Sequence, residues 1–185
     1  MAKNKMAQVI KLKNNNEPTV LISTLSSKGG VSAMTKFAVQ ALKAKNYEPI
    51  VAYYKPYSLS PALSVPATKL FRKKPSFTCF HDPALDVTCY EVGAYLPELE
   101  FTHYWPTAHW KALAEQTDYH LVASGNVMPA MPFYNGLRPY IVWAATSHTA
   151  DRVDRVKHFS WPRKVLDVCL NKRVSARYEK KIIQQ

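Results

Sequence analysis

The stretch Thr19-Val-Leu-Ile-Ser-Thr-Leu25, followed by Ser26-Ser-Lys-Gly-Gly-Val-Ser-Ala-Met-Thr35, decides the fold of this chain. Its first part is a nearly continuous aliphatic and β-branched run, which is typical of a strand covered on both faces. From Val31 to Lys45 the apolar residues recur on one face of a helix. The glycine pair therefore lies between a strand and the amino terminus of a helix, where α/β proteins bind phosphate.

The same segment resembles the start of a P-loop ATPase of the chromosome-partitioning kind, whose motif continues into Gly-Lys-Ser/Thr. In that motif the lysine reaches the β and γ phosphates and the hydroxyl binds Mg²⁺. The corresponding positions here are Ser32, Ala33 and Met34, which supply neither the charge nor the magnesium ligand. We therefore expect no ATPase activity. The glycines either let a ligand approach the backbone closely or simply form a tight strand-to-helix turn.

Length and charge set the class of protein. The 185 residues suit one domain, and a hydrophobic content of 47% is sufficient for a real core. Lys and Arg outnumber Asp and Glu by 25 to 13, and the last 35 residues alone carry a net charge of +6. This pattern indicates an anionic partner such as a lipid surface, a phosphorylated substrate or nucleic acid, or else a solvated basic surface.

The cysteines and the hydropathy pattern bear on the compartment. The three cysteines, Cys79, Cys89 and Cys169, lack metal-binding spacing and leave at least one thiol unpaired, which favours a reducing cytoplasm. The chain shows no secretory signal and no apolar run of transmembrane length. We expect a cytoplasmic protein with, at most, peripheral contact at the inner face of the membrane.

Strands and helices alternate along the chain. Residues 1–17 form a flexible basic leader in this interpretation, and residues 18–185 form one domain. The predicted strands are Thr19–Leu25, Pro49–Tyr54, Ser76–Phe80, Thr88–Tyr95, Tyr119–Ala123 and Pro139–Ala145. The predicted helices are Val31–Lys45, Thr107–Gln116, a short one over Met128–Tyr134, and two terminal ones over His148–His158 and Pro162–Gln185. The alternation predicts an α/β fold, a single Rossmann-like doubly wound domain with a mostly parallel sheet.

Four segments, in this order, resemble the N-terminal domain of a family 4 retaining glycosyltransferase with a GT-B fold. They read SSKGGVSAMTKFAVQALKAKNYEPIVAYY, VGAYLPELEFTHYWPTAHWKAL, DYHLVASGN and RPYIVWAATSHTADRVDRVKHFSWPRKVLD. With the first strand they span about Thr19 to Asp167, and their order and spacing carry the resemblance. The closest similarity is to bacterial enzymes that build cell-surface or exported glycans.

The resemblance implies that the chain is one half of a GT-B fold and binds mainly the acceptor, a glycan or a lipid-linked molecule. The donor is a nucleotide sugar, held largely by a second domain in cis or in trans, and the chemistry needs no metal. Because the resemblance places an interdomain junction at Gln185, we expect this chain alone not to turn over. The basic surface would face a membrane-attached or phosphorylated acceptor.

The strand ends supply the predicted site. In the family a glycine loop borders the cleft, and a histidine near the donor sugar follows a strand. The resemblance therefore assigns the catalytic position to His148, although Thr146-Ser147-His148 replaces the common histidine-aspartate pair. Substrate binding is predicted at Lys28, Gly29, Gly30, Ser124, Asn126 and Thr146. For Ser124 and Asn126 the alternative is that they cap the next helix.

Residues of the middle segment carry weaker predictions. Glu98 and Glu100 could line an acceptor groove, and the cluster of His103, Tyr104 and Trp105 could stack on a sugar ring or simply pack. The only adjacent histidine-aspartate pair, His81 with Asp82, precedes a hairpin rather than following a rim strand, so we reject it as a catalytic site.

Two other functions stay open at this point. One is a P-loop-like partition or nucleic-acid-binding protein without ATPase activity, although no nucleic acid is expected because the chain has no recognisable reader module. The other is a non-catalytic partner domain that docks a separately encoded half.

Overall fold

The computed structural model describes residues 17–25, 29–55, 60–96, 99–134, 136, 138–147, 150, 157 and 160–184. The strands are β1 (Thr19–Thr24), β2 (Glu48–Lys55), β3 (Phe77–Asp82), β4 (Val87–Gly93), β5 (Tyr119–Ser124) and β6 (Tyr140–Ala144). The helices are α1 (Gly29–Lys43), α2 (Ala108–Glu115), α3 (Trp161–Leu166) and α4 (Lys172–Ile183), with a π-helical turn, Asp167–Asn171, joining the last two. Short 3₁₀ turns cover Ala67–Lys69, Glu100–Tyr104 and Met128–Ala130.

The six strands form one sheet in the order β3-β4-β2-β1-β5-β6. Every neighbouring pair is parallel except β3 and β4, which form an antiparallel hairpin. This arrangement confirms the predicted α/β class and the mostly parallel sheet. All six predicted strands are present, and their ends lie within about two residues of the predicted ends, which is the usual uncertainty of such boundaries.

Helices cover both faces of this sheet, which explains why the central strands are largely buried on both faces. On one face, Ile22 of β1 and Val51 of β2 pack against Ala38 and Val39 of α1. On the opposite face, Leu21 belongs to a larger cluster that includes Trp110 and Leu113 of α2 and Ile182 of α4. Alternate residues of one strand thus enter two different cores, as the period of two requires.

Hydrogen bonds between distant residues fix the central strands. The Asp118 carboxylate accepts bonds from the backbone N–H of Thr19 at 2.8 Å and from its hydroxyl at 2.9 Å, across 99 residues of sequence. The Ser23 hydroxyl donates to the buried carbonyl of Pro129 at 2.8 Å. At the other end of the sheet, the Tyr140 hydroxyl donates to the Ile182 carbonyl at 3.2 Å, which ties β6 to α4.

The crossover between β5 and β6 differs from its prediction. The expected helix over Met128–Tyr134 is a 3₁₀ turn over Met128–Ala130 followed by further turns. Pro132 explains the difference, because it lacks the backbone N–H that a continuing α-helix would bond to the carbonyl of Met128. The predicted helix over His148–His158 lies outside the described residues, apart from two isolated positions.

The last helix is present but turns a different face inward than predicted. The expected apolar stripe ran through Leu166, Leu170, Val174, Tyr178 and Ile182. Of these, Ile182 is buried, Val174 and Tyr178 are half-buried, and Leu170 is exposed. The buried residues at positions 167, 171, 175 and 179 each follow a predicted one by a single position, which turns the inward face by about 100°. The buried side instead consists of Asp167, Asn171, Ser175, Glu179 and Ile182.

Candidate functional site

The strand order predicts a ligand-binding crevice at the carboxyl ends of β1 and β5. From β1 the chain passes through α1 to β2 on one side, whereas β5 pairs with β1 on the other side. A parallel sheet binds ligands where its connections reverse in this way, because the loops leaving the two adjacent strands diverge. We call this space the switch-point crevice. Gly29 and Gly30 follow β1, and Gly125 and Asn126 follow β5.

The two glycines open helix α1 and have different structural requirements. Gly29 has φ of +72°, a left-handed conformation that favours glycine over any residue with a side chain. Gly30 has no positive φ, and a Cβ added there meets no atom within 4 Å. Both residues are exposed. The turn therefore requires a glycine at position 29, whereas packing against the described residues requires none at position 30.

Ser124 and Asn126 are buried on the other side of the crevice. The Asn126 side-chain oxygen accepts a hydrogen bond from the Met128 N–H at 3.0 Å, a local contact of the Asx-turn kind. The cap position of the following 3₁₀ turn is Val127, so Asn126 does not take the capping role that was its alternative. Ligand binding by Asn126 stays a prediction. The Ser124 hydroxyl, fully buried at the end of β5, has no hydrogen-bond partner among the described residues.

Thr146 joins this side of the site through the backbone. Its N–H donates to the Gly125 carbonyl at 2.9 Å, and the N–H of Ala145 donates to the Ser124 carbonyl at 3.1 Å. The β5–β6 pairing thus continues beyond the strands and places the exposed Thr146 beside Gly125. The structure brings Ser124, Asn126 and Thr146 together, with Gly29 and Gly30 across the crevice. Lys28 and His148 lie outside the described residues.

At the ends of β2 and β4, the rim of the sheet is tightly packed and leaves little room for a ligand. Lys55 at the end of β2 forms a 3.0 Å ion pair with Glu91 of β4, and its carbonyl accepts the Ser64 hydroxyl at 2.6 Å. The same hydroxyl accepts the Ala94 N–H at 2.9 Å. An added Cβ at Gly93 would lie 2.0 Å from the Leu63 carbonyl oxygen. The segment around Ser64 therefore closes this end of the rim.

A second space, outside the switch-point crevice, is a groove of about 820 Å³ beside α2. Its walls include Trp105, Lys111, His120, Phe133, Arg138 and Tyr178. Trp105 lies near the rim, since the carbonyl of the preceding Tyr104 accepts a bond from the Tyr54 hydroxyl near the end of β2. The opposite end lies beside His120 at the start of β5. We call this space the α2 groove.

Sequence reasoning identified only Trp105 among these groove residues, as part of an aromatic cluster. Lys111, His120, Arg138 and Tyr178 belong to separate elements and share no motif. Their proximity depends on the path of the crossover between β5 and β6. No signal in the linear sequence could have found the groove without that path.

The surroundings of His120 favour the neutral form of its imidazole ring. Its ring stacks on Phe133 with centroids 4.4 Å apart and planes 3° from parallel, and its Nε2 lies 3.0 Å from the Ala114 carbonyl. A carbonyl only accepts, so Nε2 carries the proton and Nδ1 presents a lone pair. Burial lowers the pKa of His120, because a charged imidazolium would be poorly solvated there. Burial likewise lowers the pKa of His109, whose Nε2 lies 3.0 Å from the Pro75 carbonyl.

These two histidines predict a loss of stability in mild acid. Unfolded histidine takes up a proton near pH 6.5, whereas the folded state resists protonation, so the unfolded state binds more protons below about that pH. The free energy of unfolding should fall as pH drops from about 7 to 5, by at most about 1.4 kcal/mol per pH unit for each histidine. Urea denaturation across this range measures the slope. In the double variant His109→Gln/His120→Gln the slope should flatten, and an unchanged slope would contradict the assignment.

A smaller space of about 450 Å³ lies at the opposite, amino-terminal edge of the sheet. Its rim includes Lys43, which forms a 2.9 Å ion pair with Asp86, while His81 lies 3.3 Å from the same carboxylate. The bond from Lys43 lowers the pKa of Asp86. Asp82 accepts the N–H of Ala84 within the hairpin turn. The His81-Asp82 pair therefore lies at the β3–β4 turn, away from the carboxyl ends of the parallel strands.

The described residues contain free thiols but no cluster of metal-binding side chains. Within these ranges no three His, Cys, Asp or Glu side chains are placed to hold a metal ion. All three cysteines are free thiols, with Cys79 and Cys169 exposed and Cys89 buried. Burial raises the pKa of Cys89 to about 12, which makes it a poor nucleophile. None of the helices in the described part of the chain is both long and apolar enough to span a bilayer.

The described residues thus comprise a switch point at the ends of β1 and β5 and a separate groove with aromatic and basic walls. Comparisons with family models, with curated proteins and with solved structures find no match for this chain.

Proposed function

We propose that this domain is the acceptor-side half of a metal-independent retaining glycosyltransferase that uses a nucleotide-sugar donor. One observation carries the proposal. The exposed Gly29 and Gly30 open a 15-residue helix after β1, and β1 pairs with β5, the strand that ends at Ser124, at the switch point of a mostly parallel sheet. The helix amino terminus offers unpaired N–H groups and a positive dipole end to a sugar diphosphate.

In this proposal the protein supplies position and charge rather than a nucleophile. The acceptor oxygen bonds to the anomeric carbon on the face that the diphosphate leaves, and the departing diphosphate takes the acceptor proton. The amino terminus of α1 stabilises the negative charge that grows on the diphosphate. The sequence adds Lys28 and His148 to the same rim as proposed diphosphate and sugar contacts. Further donor contacts come from a second domain, in cis or in trans.

The α2 groove supports the acceptor half of the proposal. Its aromatic walls suit the apolar face of a sugar ring or the start of a lipid chain, and Lys111 and Arg138 supply positive charge for a phosphate. Trp105 places one end of the groove close to the rim. In this proposal the acceptor lies in the groove with its reactive end at Trp105.

Gly30→Ala separates ligand approach from a purely structural turn. Among the described residues the new methyl group meets no atom within 4 Å, and alanine is the better helix former, so stability should stay the same or rise by about 0.5–1 kcal/mol. The same methyl group would obstruct a diphosphate at the backbone, and we expect affinity to fall about tenfold, or about 1.4 kcal/mol. Calorimetric titration with a panel of nucleotide sugars, in the presence of a chelator, measures this.

The matched control is Ala41→Leu, which adds bulk at an exposed position near the far end of the same helix. It should leave affinity unchanged. Equal affinity of Gly30→Ala and the parent protein would leave only the tight-turn interpretation of the glycine pair. Preference for ATP over every nucleotide sugar would instead favour the P-loop-like alternative.

A further inference from the structure

The terminal helix, Trp161 to Ile183, exposes apolar side chains that its own domain does not cover. Trp161 is 77% exposed, Val168 55% and Val165 44%. Positions 161, 165 and 168 follow the spacing of one helical face, and Lys164 lies on the same face. A group of exposed apolar side chains on one face of a helix marks a surface that binds a membrane or a protein partner.

The exposed charge of this helix has a single sign. Its two acids are buried, Asp167 at 3% exposure and Glu179 at 9%. The exposed charged residues described on the helix are all basic: Lys164, Lys172, Arg173, Arg177, Lys180 and Lys181. The outward surface thus combines an apolar first half with a strongly cationic second half.

We propose that this outward surface docks on an anionic lipid bilayer, with the helix lying parallel to the membrane plane. Trp161, Val165 and Val168 enter the boundary between head groups and acyl chains, and the cations contact lipid phosphates. The helix is about 34 Å long, within the range of interfacial helices. Nucleic acid would use the cations but gain nothing from the two valines.

The inference rests on the exposure pattern and not on the proposed glycosyl transfer. The two are connected by Tyr178, which projects from the same helix into the α2 groove. If the membrane docking and the glycosyl transfer are both correct, docking brings the α2 groove to the membrane surface, where a lipid-linked acceptor is located.

Co-sedimentation of the full chain with vesicles tests the docking. The protein should bind vesicles of phosphatidylcholine mixed with phosphatidylglycerol, bind vesicles of phosphatidylcholine alone much more weakly, and dissociate as salt is raised. The triple variant Arg173→Gln/Arg177→Gln/Lys180→Gln should lose about fivefold per cation, or about a hundredfold in all. The variant Trp161→Ser/Val165→Ser/Val168→Ser should lose at least about tenfold.

The control for charge is Lys69→Gln/Arg72→Gln/Lys74→Gln, which removes the same charge from a second exposed basic cluster. It should reduce binding far less than the helix variant. Equal losses in the two variants would mean attraction by net charge alone and would overturn the proposal. Binding to duplex DNA that withstands the serine variant, with no vesicle binding, would overturn it in favour of nucleic acid.

Tryptophan fluorescence gives a reading independent of affinity. Vesicle binding should shift the emission of Trp161 to shorter wavelength, and Trp161→Phe should abolish the shift while the protein still sediments with vesicles. If the shift persists in Trp161→Phe, another tryptophan lies at the membrane, and the proposal that this helix surface docks on the bilayer is wrong. Neither outcome depends on nucleotide-sugar binding, which Gly30→Ala tests separately.

Discussion

Gly93→Ala should destabilise the domain by about 3 kcal/mol or more, because this glycine touches a fixed backbone. Its added Cβ would lie 2.0 Å from the Leu63 oxygen and 2.3 Å from the Leu63 carbonyl carbon. The Leu63 carbonyl cannot retreat easily, since it accepts the Ser76 N–H at 2.8 Å. The next residue, Ser64, is held by the bonds to Lys55 and Ala94. Relief of the overlap must break part of this buried network.

Urea denaturation of Gly93→Ala and the parent protein measures this loss. The matched control is Gly125→Ala at the end of β5, where an added Cβ meets no atom within 4 Å. That control should change the free energy of unfolding by less than about 1 kcal/mol. If Gly93→Ala unfolds at the same urea concentration as Gly125→Ala, the close approach of Leu63 to β4 is wrong.

Trp110→Ala should lower the free energy of unfolding by about 3–5 kcal/mol. It should also loosen the end of the α2 groove that is formed by Trp105. Trp110 is fully buried and stacks on Tyr54, with ring centroids 4.2 Å apart. Tyr54 in turn contacts Tyr104 edge-on at 5.6 Å and donates to its carbonyl at 3.2 Å. Removing the indole takes away the support that positions Tyr104, and with it the adjacent Trp105.

Trp110→Phe is the control for this prediction. The indole N–H is buried without a partner among the described residues, so phenylalanine loses some volume but also removes an unsatisfied donor. We expect a cost of about 1–2 kcal/mol, well below that of alanine. Thermal unfolding followed by circular dichroism distinguishes the two. Equal costs would show that the stacking on Tyr54 contributes little.

The fold was predictable from the sequence where the composition of a single strand or helix reflects how that element is buried. The run from Thr19 to Thr24 is aliphatic because α1 and α2 cover its two faces, and this double burial is visible in the linear sequence. The terminal helix was harder. Its existence follows from its composition, but its inward face depends on its neighbours and on the π-helical turn at Asp167–Asn171, which holds more residues per turn than an α-helix.

The candidate site was predictable in part for a related reason. Parallel strands bring their carboxyl ends to one rim, so Ser124 and Thr146 could be assigned to it before their contacts were known. The contact of Asn126 with the Met128 N–H depends on side-chain geometry, and so does the lack of a partner for the Ser124 hydroxyl among the described residues. The α2 groove depends on where residues 131–138 pass over the sheet. That path is set by tertiary packing and has no local signature.

The bonds between Thr19 and Asp118 also determine the order in which the chain can assemble. As the chain leaves the ribosome, β1, α1 and β2 can form a local unit, but one edge of β1 has no partner until β5 has been synthesised about a hundred residues later. Closing so long a loop is entropically costly and slow. The nascent chain therefore carries an unpaired edge of the fully buried strand β1 through about half of translation, and unpaired strand edges favour aggregation.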